Sequence, residues 1–325
     1  MRNPRKRRRV YRFRAGKYKL WRRVGLAVCA IILAVSLWQL CSYASQYVRS
    51  VRLSAELRET YLSTAEEATQ QPPIPTSSQS STEGPAQTQT TDAAPPAETP
   101  VATPDPLGTP VPKAYPNNPY RLIGERFQKL RRQNEDIVGW LNIDGVISEA
   151  VVQRDNTYYL RRDYRGYHND NGAIFLDEAC SLRNRPYTLT LYGHNMKTGA
   201  MFGSLRNYEN IGFYRKNPFV DFDTIYEEGR YVIFSVAEVS IDVKSPHYSG
   251  FYRLESCTNL EREAIIKRLC EMSKHTCAID VSAEDQLLLL VTCVGDDEDR
   301  RVVAARRLRE DETEEALLQR VQLAR

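Results

Sequence analysis

The chain has 325 residues, 42% of them hydrophobic and 10% aromatic, which suits one or two globular domains. Its net charge of +4 is unevenly placed: residues 1–23 hold twelve Lys/Arg and no acid, so the remainder sums to −8. A mildly acidic body with one basic terminus argues against a nucleic-acid binder, and the basic block beside an apolar segment marks a membrane-topology signal.

Val24 to Leu40 contains only Ser36 and Gln39 as clearly polar residues, and Cys41, Ser42 and Tyr43 extend it. Such a run of roughly 20 residues matches a hydrocarbon layer about 30 Å thick. The basic residues precede it, which predicts a cytoplasmic segment 1–23, an anchor over 24–43 and everything later outside. Ser42-Tyr43-Ala44 has the small-x-small form of a cleavage site, so a removed signal peptide is the alternative. Residues 44–68 mix charged and apolar side chains and can continue the helix. Residues 69–116 are rich in Pro, Thr, Ser, Gln and Ala and cannot bury enough surface to offset their ordering entropy. The stretch 44–116 is therefore predicted as a juxtamembrane segment followed by a disordered stalk.

A folded body is predicted over 117–310. Asn118-Pro119 reads as a helix start, followed by the stripe Ile123, Phe127 and Leu130. The period then falls to two, with strands over 137–143 and 146–153 about the turn Asp144-Gly145. Further strands are predicted at 173–177, 187–193, 218–223, 230–243, 286–293 and 301–308. Helices are predicted near 199–208 and 259–274, the second opened by the capping box Thr258-x-x-Glu261. Many short strands with few helices point to a β-barrel or sandwich. The tail 311–325 carries an acidic-started amphipathic helix.

Seven cysteines are present. Cys29 and Cys41 lie in or beside the apolar span, and Cys180, Cys257, Cys270, Cys277 and Cys293 lie beyond it. Five is odd, so an oxidising compartment leaves at least one thiol free. The spacing does not resemble a disulfide scaffold, and Cys270, His275 and Cys277 lack the paired spacing of a metal site. Cys293 ends the most apolar strand of the chain, where a rigid scaffold can present a nucleophilic sulfur at a rim. A buried cysteine packed as a small hydrophobe is the plainer alternative. Of the four histidines, His194 ends the strand that begins at Tyr187, on the face of Thr188, Thr190 and Tyr192. It is placed as a base would be, or as a satisfied structural histidine. Arg301 opens the strand after Cys293.

Three stretches together resemble the class B sortases. Tyr192-Gly193-His194-Asn195-Met196-Lys197-Thr198-Gly199-Ala200-Met201-Phe202-Gly203-Ser204-Leu205 is similar to their histidine motif, Leu290-Val291-Thr292-Cys293 to their nucleophile motif, and the run 300–306 to their arginine strand. Val138–Leu141, Val151–Gln153 with Asn156–Leu160, and Gly172–Asp177 extend the likeness over roughly 119–308. The helix at 259–274 is what distinguishes class B. Val291 departs from the serine often found there.

The resemblance implies a closed eight-stranded barrel and a cysteine transpeptidase. Cys293 would attack a Thr carbonyl in the C-terminal sorting signal of a secreted protein, and an amine of a peptidoglycan precursor would resolve the thioacyl-enzyme. His194 would be the acid and base, and Arg301, preferred to Arg300 for the aliphatic run that follows it, the oxyanion or substrate partner. Asn156, Leu160, Thr292 and Tyr252 would line the signal site. No metal or other cofactor is implied, and the partners are the secreted proteins, the precursor amine and, through the helix, membrane lipid. Pilin linkage, or hydrolysis on the same barrel, are the alternatives. The acids Asp296–Asp299 read as a solvated turn whose field can attract a cationic amine.

Overall fold

Residues 7–70 and 114–325, apart from Gly295, are described in a computed structural model of the protein. The chain divides into two compact units, Met1–Leu53 and Ser54–Arg325. The first is helical, part of α1 (Arg7–Gln70), and holds a stretch, Trp21–Ser45, long and apolar enough to cross a membrane. The expected anchor 24–43 lies inside that stretch. Most of the expected stalk falls outside the described residues.

The second unit is built on eight strands: β1 (Ile137–Ile143), β2 (Ile147–Val152), β3 (Ile174–Leu176), β4 (Thr188–Tyr192), β5 (Phe219–Thr224), β6 (Arg230–Ser240), β7 (Leu287–Val294) and β8 (Asp296–Arg307). They close into a barrel in the order β1-β2-β3-β4-β7-β8-β6-β5, as the family resemblance implies. The β2–β3 and β4–β7 pairs are parallel and the others antiparallel. Closure removes free edges, and β7 sits between β4 and β8 with Leu287, Leu288, Leu289 and Leu290 fully buried. Each such leucine contributes about 2 kcal/mol of transfer free energy. That burial explains why the strand is a continuous apolar run rather than an alternating one.

The turn between β1 and β2 is as expected, with Gly145 at φ 68° and Val146 N–H donating to the Ile143 carbonyl at 2.8 Å. Helix α2 (Glu125–Arg131) starts later than Asn118-Pro119 suggests. Asn118 does cap, but it caps a turn: its Oδ1 accepts from Leu122 N–H at 2.8 Å, while Arg121 at φ 53° breaks the helical path. The predicted helix near 199–208 is a 3₁₀ helix, Gly203–Glu209, and a short α3 (Ile211–Lys216) follows it. The capping box of α4 (Asn259–Glu271) is present. Helix α5 (Glu314–Gln322) buries Leu317 and Val321, and Glu314 pairs with Arg230 of β6 at 2.7 Å. The acids 296–299 begin β8 instead of forming a free turn; Ile241 N–H donates to the Glu298 carbonyl at 2.9 Å.

One packing relation is absent from the sequence reading. The segment 54–64 of α1 lies on the barrel, with Leu57 and Tyr61 buried. The Tyr61 ring stacks on Trp140 of β1 at 4.6 Å, and its hydroxyl donates to Asp223 of β5. Ser54 Oγ donates to Glu149 of β2 at 2.7 Å, and burial pushes the Glu149 carboxyl up to about 7.

Candidate active site

Strand β7 is buried through Thr292, and Cys293 is the first exposed side chain after that run. The other four cysteines of this unit are buried or half-buried. Burial pushes the Cys180 thiol up to about 12 and raises Cys257 as well, so neither is a nucleophile near neutral pH.

The parallel β4–β7 ladder pairs Tyr192 with Val291, and Gly193 N–H donates to the Val291 carbonyl at 3.2 Å. Two residues further along each strand stand His194 and Cys293. Asn195 Nδ2 donates to the Cys293 carbonyl at 2.9 Å and ties the histidine loop to the nucleophile strand. Both sequence-predicted groups thus arrive at one end of adjacent strands.

His194 is half-buried, and its Nε2 lies 2.7 Å from the Leu160 carbonyl. A carbonyl can only accept, so Nε2 carries the hydrogen and Nδ1 is left for other work. The ring also fixes the residue beside it. Gly172 has φ 62°, and a Cβ there would lie 2.7 Å from the carbonyl oxygens of Tyr159 and Leu160 and 3.2 Å from His194 Cδ2. Only glycine lets the 159–172 segment close on the imidazole. A side chain at Gly193 would meet the Phe202 ring at 2.9 Å.

The antiparallel β7–β8 register separates the two arginines. Cys293 pairs with Arg300, and Thr292 pairs with Arg301. Directly opposed residues share a face and neighbours along a strand alternate, so Arg300 is on the Cys293 face and Arg301 is on the other. This corrects the expectation that Arg301 stands beside the nucleophile. Arg301 is buried and gives Nη2 to Glu238 of β6 at 2.7 Å and to Glu209 at the end of the 3₁₀ helix. Burial alone would raise the Glu238 carboxyl, but hydrogen bonds from Lys274 and Arg301 together hold it below its ordinary value. Arg300 is half-buried, with Nη1 donating to the Asp299 carbonyl at 2.9 Å. Burial pushes the Tyr192 phenol up, and the Arg300 cation is near enough to oppose that shift.

The four expected signal-site residues fall in different places. Leu160 is 38% exposed and offers its carbonyl to His194. Asn156 joins two loops instead: its Oδ1 accepts from Glu178 N–H at 3.0 Å and its Nδ2 reaches Asp177 at 3.4 Å. Thr292 is buried on the Arg301 face, and its Oγ1 has no hydrogen-bond partner. Tyr252 is exposed, and its hydroxyl lies 2.6 Å from that of Tyr248. The sequence reading gave no role to Asn195 or Gly172, although Asn195 directly follows His194, and it preferred Arg301 to Arg300, where β-strand alternation singles out Arg300. A cavity of about 870 Å³ opens at the far ends of β7 and β8 between Arg126, Asp223, Arg230 and Arg309, away from Cys293 and His194. Among the described residues no cluster of three or more His, Cys, Asp or Glu forms a metal site.

No protein-family model matches the chain. Sortase B of Listeria monocytogenes is 30% identical over 175 residues, 53% of this chain and 68% of that protein. Sortase B of Staphylococcus aureus is 27% identical over 173 residues, again 53% of this chain and 68% of the relative. Among solved structures, sortase B from Bacillus anthracis in complex with AAEK2 aligns with a TM-score of 0.52 at 28% identity, covering 62% of this chain and 90% of that one.

Proposed function

The chain belongs to the sortase B family of cysteine transpeptidases, and we propose that Cys293, His194 and Arg300 carry out the acyl transfer. In this reading Cys293 attacks the Thr carbonyl of a C-terminal sorting signal on a secreted protein. The C–N bond breaks, the tail leaves as an amine, and a thioester remains on Cys293. An amine of a peptidoglycan precursor then attacks the thioester and expels the thiolate, which leaves the secreted protein joined to the cell wall.

His194 moves the protons. Because Nε2 stays bonded to the Leu160 carbonyl, Nδ1 takes the proton of the Cys293 thiol, gives it to the departing amine and later takes one from the incoming amine. The Leu160 backbone therefore acts as a positioning group, whatever its side chain contributes to the signal site. Arg300, on the same strand face as Cys293, supplies fixed positive charge where the tetrahedral oxyanion develops. Arg301 is committed to Glu238 and Glu209 and holds β8 against its neighbours. Tyr252 remains a candidate wall of the signal site because it is exposed. The stretch Trp21–Ser45 anchors the chain in the membrane, with the basic residues cytoplasmic and the barrel outside. The division 1–23, 24–43, 44–116, 117–310 and 311–325 describes this arrangement, with 54–64 joined to the barrel.

The observation that carries this reading is the strand pairing that brings the His194 and Cys293 ends together. It is tested by intact-mass analysis of the protein with Thr-containing signal peptides. The wild type should gain an acyl mass on Cys293, and an added amine should discharge it as an amide. Cys293→Ala should gain none. An adduct on another residue, or a free acid as the product even with amine in excess, would overturn the reading.

A further inference from the structure

Cys270 and Cys277 lie seven residues apart, outside the site described above, and their side chains meet. Helix α4 ends at its C-cap Met272. The chain then turns along β6: Ser273 bridges Ala237, and Lys274 N–H donates to the Val236 carbonyl at 2.7 Å. His275 is held in the same turn. Its ring stacks on Tyr214 at 5.4 Å, and Nε2 donates to the Tyr208 carbonyl at 2.7 Å. Thr276 is bonded to Arg325 through its main chain and its side chain: its N–H donates to the Arg325 carbonyl at 2.9 Å, and its Oγ1 accepts from the Arg325 N–H at 2.8 Å. On the helical side, Ser235 Oγ donates to the Leu269 carbonyl at 2.7 Å. Both arms of the turn are thus fixed before the thiols are considered, and between them the two sulfur groups are in hydrogen-bond contact.

We propose that Cys270 and Cys277 are a disulfide-forming pair that closes when the barrel unit meets an oxidising compartment. The compartment rests on the topology proposed above; the pairing rests on the contact itself. The hydrogen bond between them favours a thiolate on one member of the pair, and the exchange can open from Cys270. Its thiolate attacks one sulfur of an external disulfide, forms a mixed disulfide and releases the first thiolate. Cys277 passes its proton to solvent, attacks the Cys270 sulfur and expels the second thiolate. Two electrons leave the cysteine pair and reduce the external disulfide to two thiols.

Closure resolves the odd cysteine count beyond the apolar span. One bridge uses Cys270 and Cys277, burial silences Cys180 and Cys257, and Cys293 remains as the exposed reactive thiol of this unit. The bridge pins the end of α4 to the segment that continues toward Asp280. There Arg309 and Arg320 engage the Asp280 carboxylate, Arg309 at 2.5 Å.

The test uses the full chain in detergent, equilibrated with mixtures of glutathione and glutathione disulfide, quenched with acid, alkylated while unfolded and mapped by mass spectrometry. The expected result is a peptide bridged between Cys270 and Cys277, two hydrogens lighter than its reduced form, while Cys180 and Cys257 remain alkylatable. Reduction of the bridge should lower Tm by roughly 5 °C. Cys270→Ser should melt like the reduced wild type under both conditions and keep its transpeptidation rate. Free thiols at every ratio, or two separate glutathione adducts, would overturn the inference. Bridging in the purified chain but free thiols in intact cells would instead overturn the outward topology of the barrel.

Discussion

The two faces of the β7–β8 ribbon hold their cations differently. On the Thr292 face, Arg301 is buried between Glu238 and Glu209, and its charge is matched on the spot. On the Cys293 face, Arg300 is half-buried beside the exposed sulfur, and its Nη1 meets a backbone carbonyl. A guanidinium already committed to two carboxylates has little to offer a developing oxyanion. Nearness along the chain therefore does not decide which arginine serves the reaction; strand alternation does. In the proposed reaction the Arg301 face supplies rigidity, and the Arg300 face supplies chemistry.

That division predicts mutations with different signatures. The largest combined effect belongs to Gly172→Ala, which forces a Cβ against two backbone carbonyls and the His194 ring at a positive φ. It should cost about 3 kcal/mol of stability and also depress turnover per folded molecule. Denaturant titration alongside single-turnover assays separates the two losses. Arg301→Met should cost about 2 kcal/mol, because Glu238 keeps Lys274 and Glu209 is half open to solvent. Its turnover, corrected for folded fraction, should stay near wild type. A catalytic collapse in a folded Arg301→Met protein would move the chemistry to the wrong face.

The smallest effect lies far from both faces. Glu149, under the 54–64 segment, is pushed up to about 7. A raised carboxyl binds more protons in the docked state than when released, so docking is strongest below its ordinary value and weakens as pH rises through about 7. Hydrogen exchange of residues 54–64, corrected for intrinsic rates, should show protection falling between about pH 5 and pH 8. Glu149→Gln should flatten that dependence and leave the barrel unchanged.

Much of this was legible in the sequence where local chemistry sets local structure. The apolar run 287–292 needed no partner to announce a buried strand, and alternation put His194 at a strand end. Thr258 and Glu261 formed the capping box they spelled out. Legibility failed where distant residues decide. Nothing near Tyr61 says that its ring stacks on Trp140. The acids 296–299 read as a turn, yet they begin β8, with Asp299 paired to Ser240 of β6. The choice between Arg300 and Arg301 needed the β7–β8 register, which pairs Cys293 with Arg300. Likewise Cys270 and Cys277 lacked a recognisable spacing, and it is the turn along β6 that brings them together.

The most direct measurement is the rate of acyl-adduct formation on Cys293 in wild type, Arg300→Met and Arg301→Met, with each folded fraction fixed by its melting curve. The register predicts a loss of roughly 10²-fold in Arg300→Met with Tm nearly unchanged, and a lowered Tm with a near-normal rate in Arg301→Met. The reverse pattern, with Arg300→Met acylating at the wild-type rate and a folded Arg301→Met inert, would contradict it.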